Sequence, residues 1–105
     1  MQVSMTPKVK IACVRCKLKG DTKFVYAEGF DHTGCYDYLR AAHSMYPQAQ
    51  PQKYDYEEGF LLTNGDFVNR MVAMKIANKE GQLKLEYKGQ HFPLLFSYML
   101  NYRAI

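Results

Sequence analysis

The sequence predicts an α+β domain, an N-terminal antiparallel β-hairpin sheet packed with two main helices and a short C-terminal helix. Three observations carry this reading. Alternating apolar and polar residues flank Gly20-Asp21, the pair Asn64-Gly65 sits between two apolar runs, and two segments with a helical stripe each follow a capping residue.

Residues 8–19 place Val9, Ile11 and Cys13 on one face and Val14, Cys16 and Leu18 on the other, so the phase slip at Cys13-Val14 predicts a bulge in a long strand. Gly20-Asp21 tolerates positive φ, residues 22–26 read as the returning strand, and Gly29 ends it. A helix is predicted over 32–46, with Thr33 as its N-cap, Tyr36 and Leu39 docking it, His32 and His43 beside them, and Pro47 as its stop. Residues 47–57 hold two prolines and three glutamines without a period and read as an exposed connection inside a single domain spanning 1–105. Asn64-Gly65 predicts a second hairpin with a type I′ turn, in which both residues take positive φ. Asn69 then caps a helix over 70–80, with Val72, Ala73, Ile76 and Ala77 inward and Gly81 as the stop. Residues 83–87 alternate like a strand, Lys88-Gly89 turns, and Pro93 opens a short final helix over 94–102.

Composition narrows the class of function. A chain of 105 residues with 48% hydrophobic and 23% charged residues forms one globular domain and is not disordered. No run of eighteen apolar residues occurs, and the first seven residues lack the apolar core of a signal peptide, so a soluble cytoplasmic protein is expected, with no membrane partner. Three cysteines, an odd number, then fit reduced thiols. The net charge of +4 favours anionic partners. The basic residues are dispersed, which suits a pocket for a phosphorylated small molecule better than a track for nucleic acid. Nine tyrosines and six phenylalanines are more aromatic surface than so small a core readily buries, which predicts a homo-oligomer.

Two patterns invite chemistry. Cys13-Val14-Arg15-Cys16 with His32-Thr33-Gly34-Cys35 formally offers four zinc ligands, but residues three apart in a strand point to opposite faces, so these read as structural thiols and no metal is expected. Catalysis finds no acidic orienter for a Cys-His pair, no Gly-rich phosphate loop and no nucleophile elbow, so the chain reads as a non-enzyme that needs no cofactor. The junction of the second hairpin with the second helix is better suited to binding. Free N–H groups, the Asn69 amide and the Arg70 cation surround one point there, and Phe60 or Phe67 could stack on a base; the plainer alternative is that both rings are core and Asn69 only caps.

The stretch from Glu58 to Arg70, Glu-Gly-Phe-Leu-Leu-Thr-Asn-Gly-Asp-Phe-Val-Asn-Arg, followed by a helix ending Ile76-Ala77 and by Gly81-Gln82, resembles the core of the first class of Thoeris anti-defence proteins of phages. The opening run from Lys8 to Cys13, the His-bearing helix start at His32 and the closing Leu95-Phe96-Ser97-Tyr98 are similar too. The resemblance implies a sponge that sequesters cyclic ADP-ribose-type signalling nucleotides, without cleaving them, in the cytoplasm of an infected bacterial host, and that assembles as a dimer or hexamer. Some members also hold cyclic oligonucleotides at separate sites. Carried over, Phe60 would stack on adenine, Asn69 would hydrogen-bond the ligand, and Arg70, Arg103 and His32 would complete the ligand-binding set. The alternative from a different class is a small phage interaction module or regulator that binds protein or nucleic acid.

Overall fold

A computed structural model describes residues 6–90 and 92–102. Strands β1 (Val9–Leu18) and β2 (Val25–Gly29) form the first hairpin, helix α1 (His32–His43) follows, and β3 (Tyr54–Leu62) and β4 (Phe67–Asn69) lead into α2 (Arg70–Lys79). The sheet has the order β2-β1-β3-β4 with every neighbouring pair antiparallel. Since β2 and β3 both run against β1, they are parallel to each other and joined across it by α1. This is the α+β fold that the alternation and the caps predict.

Strand periodicity sorts the sheet into two unlike faces. Ala12, Val14 and Cys16 of β1, Ala27 of β2, and Tyr54, Phe60 and Leu62 of β3 form one core with Cys35, Tyr36 and Leu39 of α1 and Ala73, Met74 and Ala77 of α2. On the opposite face Arg15 lies between the Phe24 and Phe67 rings, 4.7 and 4.8 Å from their centroids, and pairs with Glu57 at 2.6 Å. Lys17 pairs with Asp55 beside it.

Several local expectations are corrected. The register shift in β1 lies between Val9 and Ile11, and Cys13 and Val14 break the pattern because both faces are covered there. The returning strand starts at Val25, three residues later than predicted, and includes Gly29. The N-cap of α1 is Asp31, whose side chain accepts from Gly34 N, while Ser44 closes the helix in the left-handed conformation. The exposed connection is shorter than 47–57, because residues 54–57 are strand and Pro47 is buried. The second turn is not type I′: Gly65 N donates to Leu62 O and only Gly65, at φ 92°, takes positive φ, as in a type I turn closed by a left-handed residue. Asn64 instead accepts from Asp66 N through its side chain. In α2, Met74 is buried where Val72 and Ile76 are half-buried.

The C-terminal segment departs most from expectation. Its described residues contain only 3-10 turns, Leu85–Tyr87 and Ser97–Met99, and one bridge between Leu83 and Leu100. Yet Leu83, Leu95, Met99 and Leu100 belong to the core. Gln82 explains how this irregular chain is held. Lys8 O accepts from Thr63 N, so in an antiparallel pair the next residue, Val9, turns its polar backbone away from β3, and β2 ends opposite Ala12 without reaching it. The fully buried Gln82 carboxamide fills that place: Val9 N donates to Oε1 at 2.9 Å, and Nε2 donates to Val9 O at 2.7 Å.

Replacing Gln82 with Ala strands a buried donor and a buried acceptor on Val9 and should cost about 2–4 kcal/mol. The denaturation midpoint is the measurement. Gln82→Glu keeps one acceptor but no donor while ionised, so it should regain stability as pH falls and the carboxyl protonates; a midpoint equal to wild type for both variants would refute the clamp.

Candidate functional site

Gly29 permits a close approach of α1 to the end of β2, where a Cβ would lie 2.7 Å from Cys35 N. This seats the first turn of α1 beside β3 and beside the C-terminal segment. His32 Nε2 lies 2.8 Å from Gly59 O, and because a carbonyl only accepts, that nitrogen carries the proton. The His32 ring meets Phe60 edge-on at 5.2 Å.

Glu58 stands next to this pair and organises three elements. Its Oε1 accepts from Arg70 Nη1 at 3.0 Å and its Oε2 accepts from the Tyr36 hydroxyl at 2.7 Å. Burial and the adjacent Glu58 push the Tyr36 phenol up from its ordinary value. Arg70 Nε also donates to Leu95 O, and its guanidinium lies 3.9 Å from the centroid of the Phe96 ring. Phe96 and Tyr98 stack on each other with centroids 5.5 Å apart and are 40% and 51% exposed.

Two adjoining hollows follow. One, of about 340 Å³, lies among His32, Glu58, Arg70 and Phe96, and the other, of about 420 Å³, lies among Phe30, Lys84, Leu100 and Tyr102. They share Asp31, Ser97 and Tyr98 as a common wall. Phe30, 74% exposed, stacks on Tyr102 at 5.1 Å, and the Tyr102 hydroxyl donates to Phe30 O, so an aromatic pair borders the larger hollow. Volumes of this size suit a small molecule, and exposed rings give a planar ligand something to stack on.

Of the residues singled out from sequence, His32 and Arg70 line the smaller hollow together. Phe60 is fully buried beneath His32, so its ring is a core side chain and presents no face for stacking. Asn69 uses its side-chain oxygen on Val72 N at 2.8 Å as the cap of α2 and does not line either hollow. Arg103 lies outside the described residues. Phe96 and Tyr98 of the closing segment also line the cleft, but Tyr98 stacks on Tyr87 at 5.9 Å as well as on Phe96, so the open ring is Phe30, two residues before His32.

The thiols are not assembled for chemistry. Among the described residues no group of three His, Cys, Asp or Glu could hold a metal. Cys16 joins the core on the helix side, whereas Cys13 lies on the other side of β1. Burial pushes Cys13 and Cys35 up to about 12 and Cys16 to about 11, so all three are protonated at neutral pH.

A family model described as "Phage T4 y16D protein" matches residues 9–100, a range that includes every strand and helix above. No curated protein matches the chain, and no solved structure does.

Two outcomes follow from these placements. As a core ring, Phe60→Ala should cost about 3–5 kcal/mol of stability, read from urea unfolding, and a folded variant of near wild-type stability would contradict its burial. The thiols have folded pKa values above the ordinary 9.0, so the unfolded chain loses these protons first and stability falls as pH rises past 9, by up to about 1.4 kcal/mol per pH unit for each thiol, until the folded values near 11 to 12 are passed. Midpoints measured between pH 8 and 10.5 should show that decline, and Cys35→Ala should flatten it; a slope untouched by this change would refute the assignment.

Proposed function

The chain belongs to the Phage T4 y16D protein family, and for this member we propose non-catalytic binding of a nucleotide signal in the cleft between the start of α1 and the C-terminal segment. The observation that supports it most is the aromatic pair Phe30 and Tyr102, with Phe30 74% exposed, at the larger of two adjoining hollows of small-molecule size. Bases stack on such rings regardless of their edge pattern, and ribose hydroxyls suit the carboxylates nearby.

In this reading the ligand is a cyclic ADP-ribose-type nucleotide withheld from its effector, as in the Thoeris anti-defence proteins whose core the hairpin-to-helix stretch resembles. The description of the family as a phage protein fits a setting inside an infected bacterium. No helix among the described residues is long and apolar enough to cross a membrane. Association into a dimer or hexamer is part of the proposal, and a solution mass near 12.2 kDa by light scattering at micromolar concentration would remove that part.

A second reading, an interaction module for protein or nucleic acid, draws on Tyr26, which is 48% exposed on the sheet face opposite the helices and 6.0 Å from Phe67. The two readings separate in one experiment. The protein is mixed with cyclic ADP-ribose isomers, desalted and denatured, and the released material is analysed. Recovery of intact ligand is expected from wild type. Phe30→Ala should stay folded, since the ring is 74% exposed, and should lose about fivefold to a hundredfold in affinity, the equivalent of about 1–3 kcal/mol of stacking. A converted product would make the protein an enzyme, and no retained ligand would favour the interaction module.

A further inference from the structure

The two hollows share a wall but differ in charge. In the smaller one the Asp31 and Glu58 carboxylates face a single guanidinium, and that group is already committed: Arg70 Nη1 is 3.0 Å from Glu58 and Nε donates to Leu95 O. A phosphate placed there would meet Glu58 in addition to the Asp31 that both hollows share, and could draw Arg70 only by leaving a partly buried Glu58 without its partner. The larger hollow is different. Lys84 lines it and has no ion pair among the described residues, while Phe30 and Tyr102 beside it are apolar and aromatic. An ammonium acts on phosphate as a point charge and needs no fixed fork geometry.

We propose that the cleft takes a nucleoside phosphate in one orientation, with the phosphate at Lys84, the base against the open ring of Phe30 and the ribose hydroxyls donating to Asp31. The proposal rests on the ligand-binding reading above and adds which end of the ligand is anionic. Asp31 can serve twice. Its Oδ1 accepts from Gly34 N at 2.8 Å, and a carboxylate has about four acceptor sites, which leaves room for hydroxyl donors. Arg70 is then a positioning residue that supports the Phe96 ring and not a phosphate ligand.

The test is calorimetric titration of adenosine 5′-monophosphate, adenosine and cyclic ADP-ribose into wild type, Lys84→Gln and Asp31→Asn. Asparagine keeps the helix cap, so the second variant removes charge without removing α1's first turn. At low ionic strength the monophosphate should bind about five- to tenfold more tightly than adenosine. Lys84→Gln should erase that advantage and leave adenosine unchanged, and Asp31→Asn should weaken both. An advantage that persists in Lys84→Gln, or a monophosphate affinity that rises in Asp31→Asn, overturns the orientation and leaves the ligand-binding reading standing. Binding of cyclic ADP-ribose alone does the same. If none of the three binds wild type, the orientation and the reading it rests on both fall.

Discussion

One carboxamide ties the described residues that follow α2 to the first strand. Among the described residues, those after α2 form 3-10 turns and one bridge, and Gln82 ties them to the sheet by taking the place of the missing strand partner of Val9. From that point the chain doubles back: Lys84 N donates to Met99 O, Asn101 N donates to Gln82 O, and Leu83 bridges Leu100. Lys84, Ser97, Tyr98 and Tyr102 therefore occupy their places along the cleft as a consequence of two hydrogen bonds made 73 residues apart in sequence.

The opposite wall depends on Glu58. Its carboxylate links β3 to α1 through Tyr36 and to α2 through Arg70, and Arg70 in turn reaches Leu95 and Phe96. A half-buried ion pair of this kind adds little net stability once desolvation is counted, but it fixes the relative placement of the groups it joins. Placement is what a stacking surface needs, because a ring that wanders loses ordering entropy on binding.

What could be read from sequence was what is decided locally. The turn at Gly65, the Asn69 cap and the Gly81 stop require particular side chains or particular φ values within a few residues, and all three are where the sequence puts them. The turn type escaped because Asn64 could satisfy Asp66 N with its side chain and did not need positive φ. Tyr54-Asp55-Tyr56-Glu57 alternates as a strand should, but its polar composition and the prolines before it masked a ladder whose acids meet Lys17 and Arg15 across the strand pair. Alternation along β3 also could not say which face the helices would cover, and so Phe60 passed for a ligand platform while the most exposed ring among the described residues, Phe30, lies between β2 and α1.

The buried thiols have a use that is independent of what the protein binds. A thiol alkylates only as thiolate and only when a reagent can reach it, so Cys13, Cys16 and Cys35 are silent while their surroundings stay closed. Cys35 sits in the first turns of α1, and Cys13 and Cys16 lie on opposite sides of the interior strand β1. Their labelling rates would thus report separate opening events, one at the rim of the cleft and two at the middle of the sheet, giving this small domain a native map of where it breathes.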